Sequence, residues 1–223
     1  MSYDESDYQR DLQEQAMEEM FQEWLPEALW ERAAEAATQY LRTYGDSVYQ
    51  RVLRALSDAK HLAATGHHEA AITRAFTAIE LTIGHLLFRP LFLGVLLSEE
   101  LANRIVQEIL NGKGERERTL LPTVLKHWKI DLGHLIVGNG QSLWSVITDK
   151  IRKRRNAVIH EGASAALPDS ELAISGAQML LDEVVHPLAD KLGFTLKESG
   201  KWSEIQLYSY MKTYATKSAF KEP

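Results

Sequence analysis

The chain has 223 residues, 45% of them apolar and 25% charged, with a formal net charge of −6 and no cysteine. That is enough chain for one sizeable domain, and it excludes disulfides and cysteine-based metal sites. The acid balance also argues against a general nucleic-acid coat protein, because any basic surface must be a local patch on an acidic body.

The first fifteen residues are acidic and polar and do not read as a signal peptide. From Gln9 to Trp24, Leu12, Ala16, Met20, Phe21 and Trp24 recur at helical spacing. A second helix runs from Pro26 to Tyr44 and is expected to end at Gly45. Residues 1–45 therefore form an N-terminal acidic helical extension. Asp46 or Ser47 can cap the next helix, which buries Val48, Val52, Leu56 and Ala59 and ends at Thr65-Gly66. The helix that follows reaches Phe88 and is expected to stop at Arg89-Pro90. Glu80 lies on the edge of its apolar stripe, where a carboxylate usually has a partner. The longest apolar run, near Leu81 to Leu97, is broken by His85, Arg89 and Pro90, so no membrane span or membrane partner is expected.

Residues 91–141 form an insert. A helix is expected from Ser98 to Asn111, a charged loop over Gly112 to Thr119, a helix over Leu120 to Trp128 with Pro122 in its first turn, and irregular chain from Leu132 to Gln141. The next helix opens at Ser142 and stops at Gly162. Trp144, Ile147, Ile151 and Val158 can line its buried face. After a loop, Pro168-Asp169-Ser170-Glu171 opens a helix that reaches Gly193, with Pro187 near its end. Ser203-Glu204 reads as the start of a short C-terminal helix. The division is 1–45, a core over 46–195 and a tail over 196–223.

The segment from Ile151 to Gly162 carries the chemistry. Arg152, Lys153, Arg154 and Arg155 lead into Asn156, and His160 follows. Asp149, Arg152, Asn156 and His160 fall at steps of three, four and four, so they share one helical stripe, with Arg155 beside it. A cation, an amide and an imidazole in that order suit cleavage of RNA, which carries its own nucleophile in the 2′-hydroxyl. Histidine can act as base or acid near neutral pH. Arginine grips phosphate through a two-pronged fork. One histidine per chain is short of the two proton-transfer roles, which points to a site shared between two chains. The plain reading of such a run, a solvated basic face with a histidine near a helix C-terminus, stands beside this one.

Arg155-Asn156-Ala157-Val158-Ile159-His160 matches the R-N-x-x-x-H form of the motif of the HEPN superfamily (higher eukaryotes and prokaryotes nucleotide-binding domains). The Ala-rich helix from Gly66 to Glu80 resembles the second core helix of that family. The resemblance covers a little under half of the chain. It implies an all-α protein with a four-helix up-and-down bundle, decorated here by the N-terminal extension, the insert and the C-terminal helix. It also implies a homodimer whose two motifs face each other in a composite site, and a cytoplasmic, metal-independent endoribonuclease of prokaryotic defence or toxin–antitoxin type that needs no cofactor. Its products would be a 2′,3′-cyclic phosphate and a 5′-hydroxyl. Its partners would be RNA and an antitoxin or defence-system protein.

On that resemblance His160 moves the proton, Arg155 stabilises the phosphorane and Asn156 positions the phosphate. Arg152, Lys153 and Arg154 add phosphate contacts. Apart from the resemblance, the place of Glu80 on its stripe reads either as pairing with and orienting one of the motif arginines or as a rim carboxylate reaching solvent. The alternative from another class is a non-catalytic module of the same family that binds RNA, nucleotide or a partner protein. Some toxins of the family carry a Tyr two residues after the histidine, which a partner enzyme modifies, but here that position is Gly162. The remaining histidines, including His67-His68 before Glu69, show no metal-ligand spacing. Asp182 and His186, one turn apart, read as a salt link.

Overall fold

A computed structural model describes residues 27–93, 115–137, 140–196 and 201–204. The described chain is mostly helical, with four long helical stretches and almost no strand. The first stretch joins α1 (Glu27–Tyr40) to α2 (Asp46–Ala64) through a widened π turn at Leu41–Gly45. The second joins α3 (His68–Leu81) to α4 (Arg89–Leu93) through a π turn at Thr82–Phe88. In the insert lies α5 (Glu115–His127). The third long stretch starts as α6 (Leu143–Ser145), widens at Val146–Ile151 and continues as α7 (Arg152–Glu161). The fourth is α8 (Leu167–Leu180), a π turn at Leu181–Val185, then α9 (His186–Lys191). A short antiparallel pair, β1 (Phe194–Leu196) and β2 (Trp202–Glu204), follows.

Local chemistry sets the ends of these helices. After α2, Gly66 sits at φ +81°, and the amides of Gly66 and His67 reach back to the carbonyls of Ala63 and Leu62. That closes α2 in a glycine-terminated hairpin. Ser142 caps α6, its Oγ accepting from the Ser145 amide at 3.3 Å. Gly162, at φ +65°, ends α7. These ends agree with the sequence expectations.

Two of the expected helix ends fail. Gly45 does not end a helix: it is buried with φ −54° and ψ −49°, and the helix runs through it. Its propensity cost of about 1 kcal/mol is small beside the apolar burial around it. The Arg89-Pro90 pair does not stop the second stretch either. The chain widens just before it, with the Arg89 amide bonding to the Gly84 carbonyl five residues back. Pro187 follows the Leu181–Val185 turn in the same way, with the His186 amide bonding to Leu181. A widened turn relieves the clash between a proline ring and the preceding carbonyl. Ser203-Glu204 lies in β2, paired with Thr195 and Phe194; the short helix expected after it falls outside the described residues.

Threonines lie in three of the four wide turns. The hydroxyls of Thr43, Thr82 and Thr148 each donate to the carbonyl four residues back, at 2.8 to 2.9 Å. That carbonyl is the one a regular α-turn would have used. Thr73 and Thr77 make the same bond inside regular helix, so the hydroxyl alone does not widen a turn.

The stretches pack against one another around one core. α2 pairs with α3, α8 lies against α3 and α2, and α7 lies against α3. The core includes Phe76, Ile79, Ile83, Leu87, Ile147, Ile151 and Leu180, all at most 2% exposed. α1 continues the α2 line and packs on α4, so the N-terminal extension lengthens the first hairpin. In the insert, Leu121, Val124 and Leu125 of α5 are buried in the same core. α5 begins at Glu115, inside the expected loop, and Pro122 lies well within it, not in its first turn. The chain from Leu132 to Gln141 is irregular where it is described, as expected. The expected helices over Gln9–Trp24 and Ser98–Asn111 fall outside the described residues, as do residues 205–223.

The stretch His68–Phe88 is long and apolar enough to cross a membrane by length and composition alone, with 67% of it buried inside the bundle. Its apolarity is that of a core helix. His85 interrupts it, and burial, with the charges of Arg89 and Arg51, lowers its pKa from 6.5 to about 4. A histidine held neutral in the fold but free to charge when unfolded favours the unfolded state as pH falls. Stability should therefore drop between pH 6.5 and 4. His85→Gln should flatten that part of the profile, read as the difference between wild-type and variant urea midpoints across that range. Parallel profiles would remove His85 as the cause.

Candidate functional site

The motif helix changes character halfway. From Leu143 to Ile151 it is driven into the core, with Leu143, Trp144, Val146, Ile147, Thr148 and Ile151 buried. From Arg152 to Glu161 it has no buried residue at all. Val158, expected on the buried face, is only partly covered, and Ile159 is 44% exposed. The first half anchors the helix and the second half displays it.

The four cations do not act alike. Arg154 turns toward the start of α8. Its Nε and Nη2 donate to Asp169 Oδ2 at 3.0 and 2.8 Å, and Nη2 also reaches the Ser164 carbonyl at 2.8 Å. Asp169 also accepts from the Ala166 amide at 3.1 Å and so caps α8. Burial works against the Asp169 carboxylate, but the amide and the guanidinium outweigh it and hold its pKa below the usual value of 3.8. Arg154, expected to touch phosphate, thus has most of its fork engaged inside the chain. A carboxyl with a depressed pKa adds stability above its unfolded pKa and loses it as pH falls through the lower folded value. Asp169→Asn should lower the melting temperature at pH 7 and leave it unchanged near pH 2, read by thermal unfolding at both values. An equal loss at both would assign the effect to packing.

Arg155 is arranged differently. Its Cζ lies 5.2 Å from the centroid of the Phe76 ring, and Arg152 Cζ lies 5.9 Å from the same centroid. Phe76 is 2% exposed, so the ring is a fixed wall of the core. Arg155 Nε is buried without an acceptor, while Nη1 donates to Asn156 Oδ1 at 3.0 Å. Among the described residues no carboxylate pairs with Arg155. Its charge is therefore held in place over the ring and is paired with no carboxylate among the described residues.

Lys153, Asn156 and His160 are exposed on the outer face of α7, and Arg152 is half-buried. Glu80 is exposed near the end of α3. The Arg155 guanidinium lies over Phe76 and donates to Asn156. Phe76 was legible only as a core residue, though it is the one aromatic on an Ala-rich helix. The role of Asp169 was legible only as a helix start.

Two open grooves flank α7. One, of about 500 Å³, runs along the seam with α3 and is lined by Glu69, Thr73, Arg74, Thr77, Val158 and Ile159, among others. The other, of about 800 Å³, lies on the seam with α8 beside Lys150, Lys153 and Ala157. Near the first groove Glu69 Oε1 accepts from the Ala165 amide at 2.9 Å, and that bond holds its pKa below normal. It ties the loop after the motif to the start of α3. Away from α7, Tyr49 Oη lies 3.0 Å from His186 Nε2, and Asp182 Oδ1 lies 3.6 Å from His186 Nδ1. The expected Asp182–His186 link thus extends to α2. Burial, with the Asp182 charge, raises the Tyr49 pKa. Among the described residues no three His, Asp or Glu side chains are grouped to hold a metal ion.

The fold and the site define a helical bundle that displays an arginine, an asparagine and a histidine on one exposed helix. No family model, curated protein or solved structure matches the chain.

Proposed function

We propose that this chain is a metal-independent endoribonuclease of the HEPN type, acting as a homodimer with a composite site. The observation that carries the reading is Arg155: a cation fixed against a buried ring, bonded to Asn156 and without a carboxylate partner among the described residues. Such a group lowers the energy of an extra negative charge at little reorganisation cost, which is what a phosphorane requires. His160 lies five residues on, about 140° around the helix at 100° per residue. It is exposed and one helical turn past Asn156.

One histidine and one arginine splayed around a helix make half of an acid–base site, and a second copy facing the first completes it. In the proposed reaction one His160 takes the 2′-hydroxyl proton. The oxygen attacks the adjacent phosphorus, and the 5′-oxygen leaves with a proton from the other His160. Lys153 and Arg152 draw in the strand. The open grooves suit a flexible single strand better than an enclosed mononucleotide. Defence or toxin action, and an antitoxin-like partner, follow from the motif resemblance alone.

The test is cleavage of an end-labelled mixed RNA by purified dimer, with chelator present and matching DNA as control. RNA-only cleavage that ignores chelator and leaves cyclic phosphate ends is expected. A well-folded dimer that binds RNA without cutting it would establish the non-catalytic module instead.

A further inference from the structure

We propose that Phe76 is a positioning residue: its ring holds the Arg155 guanidinium in the one orientation from which it can seat a phosphate. The inference rests on the ribonuclease reading for its consequence, but its geometry stands without it.

Arginine is long, and an unrestrained side chain of this kind samples many rotamers. On an exposed helix it would bind phosphate only after losing that freedom. Here two contacts and the burial of one nitrogen restrict it. The ring lies beneath the guanidinium, with Cζ 5.2 Å from the centroid. Nε is turned inward, buried and without an acceptor. Nη1 is held by Asn156 Oδ1 at 3.0 Å. A donor buried without a partner costs free energy. That cost is offset by the attraction between a cation and the face of a ring, which strengthens as water is removed. Nη2 and the second hydrogen of Nη1 remain as donors for a phosphate, which arginine grips with paired donors.

Arg152 shares the same ring, with Cζ 5.9 Å from the centroid. It stands one turn before Arg155 on α7, so two positive charges converge on one aromatic face. The ring cannot swing away, because Phe76 is packed in the core and only 2% exposed. It comes from α3, a different element from the motif, so the platform locks the displayed half of α7 to the rigid half of the bundle.

Three variants test this. Phe76→Leu keeps an apolar side chain of similar reach and loses the ring. Phe76→Tyr keeps the ring. Arg155→Ala removes the group being held. The first readout needs no activity: the ¹⁵N–¹H signal of Arg155 Nε, identified by its loss in Arg155→Ala, should be displaced by the ring current in wild type and in Phe76→Tyr. It should return to the position of a free arginine in Phe76→Leu. The second readout is single-turnover cleavage of the labelled RNA by dimers with matched circular dichroism. Phe76→Leu should lose about tenfold in kcat with a smaller change in KM, and Phe76→Tyr should stay within about threefold of wild type.

A Phe76→Leu protein with the wild-type Arg155 signal overturns the platform, whatever its activity. An altered signal with unchanged kcat overturns the positioning role. If wild type cuts no RNA, the ribonuclease reading fails on its own. The platform is then judged by the Arg155 signal and by the affinity of a fluorescent oligodeoxynucleotide, which Phe76→Leu should weaken and Phe76→Tyr should not.

Discussion

His160→Ala should reduce RNA cleavage by a factor of about 10² to 10⁴, the range expected when a general acid–base group is removed. Stability should hardly change. His160 is exposed and lies on a helix segment without a buried residue, and substitutions at such positions usually stay within about 0.5 kcal/mol. That separation makes the prediction sharp. A lost activity with an unchanged melting temperature and an unchanged dimer assigns the effect to chemistry, not to folding. The measurement is single-turnover cleavage under chelator, with both proteins checked by sedimentation. A folded, dimeric His160→Ala protein that cuts at the wild-type rate would remove His160 from the mechanism and with it the composite-site proposal. Mixed dimers sharpen the test. If each subunit supplies one of two proton transfers, a dimer with one wild-type and one His160→Ala chain should be nearly as slow as the double variant.

The largest effect on the fold is expected at Gly176. It is buried on α8 against the anchoring half of the motif helix. A Cβ built there would lie 2.8 Å from Ile151 Cδ1 and 3.9 Å from Ile147 Cγ1. The near atom is the end of a flexible side chain, so alanine can be fitted by a small shift of Ile151. The helix-propensity gain of up to about 1 kcal/mol offsets that strain, and Gly176→Ala should be close to neutral. Valine cannot be fitted so, because its second γ-carbon meets the same wall. Overpacking of this kind costs about 1–3 kcal/mol, or roughly 2–12 °C in melting temperature for a chain of this size.

A double variant tests the cause. Ile151→Val removes the offending methyl, so it should be destabilising alone and should recover part of the loss in combination with Gly176→Val. Calorimetry of the four proteins gives the coupling directly. Strictly additive losses would mean that the contact between α8 and the motif helix is not what Gly176 provides.

The readable parts of this chain were those where the signal is local. Ser142 and Gly162 bound the motif helix, and Thr65-Gly66 closes the first hairpin, because a cap or a left-handed glycine acts on its own neighbours. The misread parts were decided at a distance. Gly45 and Pro90 carry helix-breaking chemistry, yet the contact of α1 with α4 keeps both segments helical. Ser203-Glu204 lies in a strand through pairing with Phe194 and Thr195, which the spacing of the tail does not show. The same division holds within the site. The order of Arg155, Asn156 and His160 was visible in sequence. That Arg154 would be taken by Asp169, and that Arg155 would lie on Phe76, depends on residues 15 and 79 positions away. Neither could be read from the spacing of the motif.

The widened turn at Val146–Ile151 works like an adjustable joint between an anchor and a display. A π turn holds about one residue more than the α-turn it replaces, and each residue is worth about 100° of rotation. Deleting one residue from that turn would leave a continuous helix, with Trp144 and Ile147 still in the core, while swinging everything beyond it by about a quarter of a circle. Arg155 would leave the ring, Arg154 would leave Asp169, and the histidine would face a different neighbour. The angular setting of the site is thus written in the length of a segment that carries none of its chemistry, so a one-residue change there would re-aim the site without altering a single functional side chain.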